Sequence, residues 1–329
     1  MGKRVTINDV ARTAGVSRQT VSRALNDKGE IDSSTKQRVL DAARELGYRP
    51  SRFARGLVRQ DSTTIGLVIP DLLNPFFTEV AHGALEAARA RGWHVIVYDT
   101  ADSTDEERRT IEVVVSQVDA VVGYFSLAEA ELDQHLSGMP VVLIGRDHQT
   151  PRFSSIHIDG EKGVHEAVDH LVAAGHRRIG MLDHVSRVKP SPSLRRVWFT
   201  DAMTGHGLDA TVVGHTAQSV DGGAEALTEL LAEHPDLTAV FTYNDVVAIG
   251  ALRAARRLGL VVPKDLAVVG FDGLQLGTVV DPALTSVALD TTRIGALAIE
   301  QAGRLLAGDA QLPPEELQVN AVLLVRNSA

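Results

Sequence analysis

The stretch "SRQTVSRALN", Ser17 to Asn26, sets Arg18, Gln19, Thr20, Ser22 and Arg23 around Val21, Ala24 and Leu25. At the helical period the three apolar residues share one face and the polar residues occupy the other. An arginine fork matches the O6/N7 edge of guanine, and a glutamine amide matches the N6/N7 edge of adenine. This polar face therefore carries the chemistry of base reading in a major groove. A second set of reactive types lies further along, each just after a short β-branched run. Asp71, Asn74, Phe76 and Phe77 follow "IGLVIP", and Ser126 follows "AVVGYF". Arg146 follows "VVLIG", Asn244 and Asp245 follow "AVFTY", and Asp272 follows "AVVGF". Aromatic rings cover the apolar face of a polyhydroxylated ring, while carboxylates, amides and guanidinium groups make directed hydrogen bonds to its hydroxyls.

Each set needs elements to hold it. Thr6 and Asp9 form an S/T-x-x-D/E helix start, followed by the apolar face of Val10, Ala11 and Ala14. Gly15 suits a turn with positive φ, and Ser17 can cap the second helix. A third helix is predicted over Ser34–Leu46, with Val39, Leu40, Ala43 and Leu46 inward and Gly47 ending it. Two short helices joined at a glycine make a helix-turn-helix. Beyond Thr64, nearly continuous apolar runs alternate with helical stretches such as Phe76–Arg91 and Asp105–Ser116. That alternation predicts parallel sheets of βα units, in two similar α/β lobes. In open parallel sheets, ligands sit beyond the carboxyl ends of the strands, which is where the second set falls.

"TINDVARTAGVSRQTVSRALN", Thr6 to Asn26, resembles the DNA-binding head of the LacI/GalR family of bacterial transcriptional regulators. The resemblance implies base reading by Arg18, Gln19 and Arg23. It implies backbone contacts by Thr6, Ser17, Thr20, Ser22 and Asn26, which position the head without specifying sequence. In "YRPSRFARGLVRQDST", Pro50 stops the third helix, and Ser51–Val58 is too short to be a stable helix unsupported. "ARGL" resembles the family's hinge helix, which makes Leu57 a minor-groove wedge with Arg52, Arg55 and Arg59 near phosphates. Further on, "DLLNPFF" resembles a motif shared with periplasmic sugar-binding proteins and implies ligand contact by Asn74, Phe76 and Phe77. By the same resemblance Arg146, Asn244 and Asp272 match sugar-contacting positions, and "PSLRRVWFTDAM" places Arg195 at a ligand arginine, with Arg196 left open. Trp198 stands where that segment usually has glycine. Gly145 replaces an acidic residue, and Leu289 stands where a polar residue is common. These departures point to a ligand with fewer hydroxyls than a free monosaccharide, or one with an apolar part.

The expected organisation is an all-α helix-turn-helix head over 1–49, a hinge over 50–60 and an α/β periplasmic-binding-protein-like core over 61–329. Lobe 1 takes about 62–160 and 291–320, and lobe 2 about 161–290 and 321–329. Charge follows this division. The 329 residues carry a net charge of −9, but residues 1–60 hold 13 Lys/Arg against 6 Asp/Glu, and the rest 20 against 36. A cationic head on an anionic body suits a polyanionic partner. Cysteine is absent, which excludes disulfides and Cys-based metal sites. No apolar run is long enough to span a bilayer, and the first residues lack the apolar centre of a signal peptide, so the expected location is the cytoplasm, nucleoid-associated when bound to DNA.

Catalytic signatures are missing from the sequence. No G-x-G-x-x-G follows the first strand, no P-loop appears, and no serine sits in a G-x-S-x-G elbow. "HEAVDH", His165 to His170, spaces its histidines five apart and not four, and reads as a solvent-facing helix with no metal. No cofactor and no enzymatic activity are expected. The expectation is a ligand-responsive repressor with two partners, a palindromic double-stranded DNA operator and a sugar-like effector. A solute-binding protein without DNA function is the alternative, which the basic head disfavours. One head reads few base pairs, so a two-fold pair is needed, and the chain's last residues, "RNSA", carry no leucine heptads. A homodimer is expected.

Overall fold

The structure, a computed structural model, describes residues 7–25, 31–46, 63–136, 138–146, 153–184, 192–308 and 316–329. Thr6, Asn26, Gly47 and the whole hinge, with Pro50, Arg52, Arg55, Leu57 and Arg59, lie outside the described residues. The chain divides into two compact units, Met1–Thr63 and Thr64–Ala329.

Among its described residues the first unit holds three helices, α1 (Ile7–Ala14), α2 (Arg18–Leu25) and α3 (Ser33–Glu45). Val10, Ala11, Ala14, Val21, Ala24, Val39, Ala42 and Ala43 form its core, with Val16, Ile31 and Leu46 packed at the edge. The α1–α2 turn follows from a few local bonds. Gly15 has φ +63°, a left-handed geometry that glycine adopts without penalty. Val16 N–H donates to Ala11 C=O at 3.0 Å and Gly15 N–H to Arg12 C=O at 3.3 Å, the paired bonds of a Schellman ending. Ser17 Oγ then accepts from Thr20 N–H at 3.1 Å, capping α2. Asp32 caps α3 by accepting from Thr35 N–H at 3.1 Å.

The second unit contains two six-stranded sheets. The first has the order β11-β5-β4-β3-β1-β2: β1 (Thr64–Ile69), β2 (His94–Asp99), β3 (Ala120–Gly123), β4 (Val141–Ile144), β5 (Ser154–Asp159) and β11 (Glu316–Asn320). All its pairings are parallel. The second has the order β12-β10-β9-β8-β6-β7: β6 (Ile179–His184), β7 (Val213–Thr216), β8 (Ala239–Thr242), β9 (Ala267–Asp272), β10 (Thr285–Ala288) and β12 (Val322–Leu324). Here only β12 runs antiparallel, against β10. The chain passes from the first sheet to the second after β5, returns after β10, and crosses again between β11 and β12. Central strands are buried on both faces, as β-branched runs demand, so helices must cover both sides.

Helix α4 (Pro75–Arg89) follows β1, α5 (Thr104–Val114) follows β2, and α6 (Glu129–His135) follows β3. In the second lobe α7 (Glu161–Ala173), α8 (Leu194–Gly205), α9 (Val220–Glu233) and α10 (Asp245–Arg257) precede the short 3-10 turn Gln275–Thr278. Helix α11 (Thr291–Leu306) returns to the first lobe and lies against α4. That approach depends on glycine. A Cβ on Gly83 would stand 2.1 Å from Thr292 O, and one on Gly295 would stand 2.0 Å from Val80 O. No helix among the described residues is long and apolar enough to cross a membrane.

Candidate DNA interface and ligand site

On α2, Arg18, Gln19 and Arg23 are exposed and Thr20 is half-exposed. The burial of Val21 and Ala24 on the opposite face turns these side chains outward. Ser17 Oγ and the Thr20 hydroxyl also lie 2.8 Å apart, so the two groups orient each other at the helix N-terminus. Ser22 lies within α2. The first turn of a capped helix, rich in donors and carrying two exposed guanidinium groups nearby, is suited to a polyanionic groove.

In the core, the carboxyl ends of the strands bring Arg195 and Asp272 together. Arg195 Nη2 donates to Asp272 Oδ1 at 3.2 Å, and Nη1 donates to Tyr243 C=O at 2.6 Å. The guanidinium carbon lies 3.9 Å from the Phe271 ring centroid and 4.4 Å from that of Tyr243, so the cation rests against two aromatic faces. Of the two adjacent arginines, Arg195 is the one that joins this cluster. Arg196 donates its backbone N–H to Ser193 Oγ in the first turn of α8.

Asp272 ends β9 with φ +113°, followed by Gly273 at +74°. A non-glycine residue in that region is strained, and such strain collects where a side chain must be aimed. The carboxyl is 2% exposed. Burial pushes its pKa up to about 8, against the pull of Arg195, while the charges of Asp245 and Glu79 push it up further. Below that pH Asp272 is a neutral acid that both donates and accepts. Asp245, also buried, is lifted by burial to about 6, opposed by hydrogen bonds from Ser286 Oγ and Leu274 N–H.

The facing lobe supplies an aromatic cluster. Phe76 and Phe77 meet edge to face at 5.2 Å, and Tyr124 packs against Phe77 at 5.1 Å and Phe76 at 6.1 Å. Phe76 is 5% exposed and belongs to the core, while Phe77 is half-buried. Tyr124 Oη is buried and has no hydrogen-bond partner among the described residues. Burial raises the Tyr124 pKa, with Asp272 adding to the rise and Arg195 opposing it, so the phenol senses the pair in the other lobe. Trp198 packs near Gly160 and Phe271: a Cβ on Gly160 would come within 2.7 Å of the Trp198 ring and 2.8 Å of the Phe271 ring. Leu289 is buried, and its N–H donates to Asp272 C=O at 3.1 Å.

Other sequence-derived residues have local work. Asn74 caps α4, its Oδ1 accepting from Phe76 N–H at 3.1 Å. Asn244 caps α10 through Val247 N–H at 2.9 Å and donates Nδ2 to Gln218 Oε1 at 3.2 Å. Asp71 Oδ1 accepts from Leu73 N–H at 2.8 Å. Arg146 Nη1 donates to Leu127 C=O at 2.5 Å, and Ser126 N–H donates to the buried Glu107 carboxylate at 2.9 Å. Burial raises the Glu107 pKa, and the Ser126 and Leu127 N–H groups and Arg146 oppose the rise. Ser126 and Arg146 thus meet around Glu107, while Arg195, Asp272, Trp198 and Leu289 meet around Phe271 and Tyr243. Tyr124, Tyr243 and Phe271 were missed as site residues by sequence reasoning. Each is the last residue of an apolar run or one short of it, and counting strand-end aromatics as cleft residues finds all three.

One expectation is corrected. The helix carrying "HEAVDH" is not simply solvent-facing, because α7 packs on α8 and β12. Nε2 of His165 and of His170 is buried and has no hydrogen-bond partner among the described residues, and Asp169 pairs outward with His206 Nε2 at 2.6 Å. Among the described residues no group of three His, Cys, Asp or Glu side chains is arranged to hold a metal ion.

Residues 6–51 match the family described as bacterial regulatory proteins, lacI family, and residues 168–329 match a periplasmic binding protein-like domain. The chain is 35% identical over 301 residues to catabolite control protein A of Priestia megaterium, covering 90% of each protein. It is 33% identical over 295 residues to the HTH-type transcriptional repressor CytR of Escherichia coli K12, covering 88% of this chain and 86% of CytR. Among solved structures, a complex of the transcriptional regulator CelR with cellobiose has 30% identity and a TM-score of 0.73, covering 99% of this chain and 100% of that one. The lac repressor dimer bound to operator and the anti-inducer ONPF has 27% identity and a TM-score of 0.74, covering 99% of each.

Proposed function

The chain belongs to the lacI family of bacterial regulatory proteins, whose members are transcriptional regulators and not enzymes, and from that premise we propose that it is a ligand-responsive, sequence-specific repressor of genes for carbohydrate or related metabolites. It binds a palindromic operator as a homodimer in the cytoplasm, on nucleoid DNA, and a small-molecule inducer releases it. The observation that carries this reading is a helix-turn-helix head matched over residues 6–51 on the same chain as a two-lobed core with an Arg195–Asp272 pair at its strand ends.

Arg18, Gln19 and Arg23 read base edges, and Ser17, Thr20 and Ser22, with Thr6 and Asn26, hold the backbone. Arg52 and Arg55 grip phosphates beside the minor-groove wedge Leu57. In the core, Asp272 and Arg195 orient the effector's polar groups while Phe77, Tyr124 and Trp198 cover its apolar surface. The indole of Trp198 and the buried Leu289 replace smaller and more polar neighbours, which favours a sugar derivative with an apolar part over a free monosaccharide. A ligand that binds one inter-lobe arrangement more tightly shifts the core toward it, and the same differential affinity must appear as altered operator affinity.

A thermal-shift screen of sugars, glycosides, nucleosides and phosphorylated metabolites, repeated on Asp272→Ala, tests the ligand half. Stabilisation by one class that disappears in the variant supports it. Tight binding of an unmodified monosaccharide contradicts the apolar-derivative reading. Enrichment of genomic fragments over random competitor at physiological salt tests the DNA half.

A further inference from the structure

The loop after β9 presents three consecutive N–H groups to side-chain acceptors. Gly273 N–H donates to Ser286 Oγ at 3.1 Å and Leu274 N–H donates to Asp245 Oδ2 at 2.7 Å. Both acceptors belong to the second lobe, and they bond to each other through Ser286 Oγ and Asp245 Oδ1 at 2.5 Å. The third, Gln275 N–H, turns to the other lobe and donates to Glu79 Oε1 at 3.3 Å. Glu79 is a residue of α4, three positions after Phe76 and two after Phe77. Its second oxygen accepts from the Thr291 hydroxyl at 2.9 Å. Thr291 opens α11, where the chain returns to the first lobe, and is buried. Its own position is fixed by the close α4–α11 contact at Gly83 and Gly295.

Thr291 and Glu79 therefore move with the first lobe, and Gln275 moves with the second. We propose that Glu79 is an inter-lobe latch, a positioning residue that ties the loop bearing Asp272 to the helix bearing the ligand-side aromatics and lets go when the lobes reorient. The Thr291 hydroxyl holds the carboxylate in the orientation that reaches Gln275. The regulatory consequence rests on the proposed function, because only in a ligand-responsive core does the resting lobe arrangement set the response. The latch itself needs neither DNA nor effector.

The absence of native cysteine allows a direct test in the full chain. Glu112→Cys on α5 and Glu229→Cys on α9, both exposed positions, take one spin label on each lobe. Labelled chain is diluted into excess unlabelled chain, so that each measured pair lies within one protomer. The inter-lobe distance distribution is then read by pulsed dipolar spectroscopy for the parent, Glu79→Ala, Glu79→Gln and Thr291→Val, without ligand or DNA. The latch predicts that all three variants move or broaden the distribution beyond the parent's width. Glu79→Gln is the nearly isosteric control: it can still accept from Thr291, but loses the charge and one of the two acceptor oxygens. Lowered melting temperatures with an unchanged distribution make Glu79 a purely structural residue and overturn the proposal, as does no change in either. A null result leaves the regulatory reading standing, since that reading is tested separately, by sequence preference for DNA and by the effect of a bound ligand on operator affinity.

Discussion

Replacing Asp272 with asparagine tests the electrostatics of the candidate ligand site through stability. Well below pH 3.8 the carboxyl is protonated in the native and unfolded chains alike, and its titration contributes nothing. As pH rises, the unfolded chain ionises near 3.8 while the native one keeps its proton up to about 8. The unfolded state then binds fewer protons, so wild-type stability falls across that window and levels off above it. The ceiling on the slope is about 1.4 kcal/mol for each pH step, which gives roughly 4 kcal/mol between pH 4 and pH 7. The carboxyl is only 2% exposed, so solvent screens little of this. Asparagine keeps an oxygen to accept from Arg195 and has nothing to ionise. Urea unfolding at fixed protein concentration, from pH 4 to pH 8, should show Asp272→Asn gaining on wild type steadily toward neutral pH. A difference that stays flat, or that favours wild type increasingly as pH rises, refutes the argument that burial outweighs Arg195.

Other substitutions report on separate parts. Gly83→Ala drives a methyl against Thr292 O and should cost about 1–3 kcal/mol or more of core stability in chemical unfolding, whereas Gly15→Ala, with open space around it, should cost the head only about 1 kcal/mol for its backbone geometry. Arg18→Ala should weaken operator binding by about 1–3 kcal/mol and relax specificity at one base pair per half-site, checked by binding to a panel of single-substituted operators. Leu57→Ala should reduce both operator affinity and DNA bending in a gel or FRET assay while ligand binding stays intact; unchanged bending removes the wedge.

The head was legible because its signals are local. Gly15, Ser17 and the spacing of Val10, Ala11, Ala14, Val21 and Ala24 specify a turn, a cap and two inward faces with no long-range information. Helix boundaries shifted by a residue or two, and Ala42 joined the core unannounced, because a small side chain carries a weak periodic signal. In the core, strands buried on both faces declare themselves as apolar runs, and strand ends and motif resemblance single out Asp272 and Arg195, which the fold brings into contact. What stayed hidden depends on contacts between distant residues. Asn74 and Asn244 looked like ligand groups and also cap helices, because the chemistry that suits a sugar hydroxyl suits an exposed helix N–H. Glu79 carries no signal of its own in the sequence; only the fold brings Gln275, 196 residues away, to its carboxylate. Strands β5, β7, β10 and β11 mix polar and apolar residues and give no clear run.

The central claim is that effector occupancy in the core governs the grip of the head on DNA. The direct measurement is operator affinity at fixed salt, in one preparation, across a titration of the ligand found by thermal shift, with Arg195→Ala in parallel. The account predicts a saturable change in operator affinity of about 5- to 150-fold that Arg195→Ala abolishes while its ligand-free DNA binding persists. An operator affinity that does not change while the ligand saturates the core would contradict it.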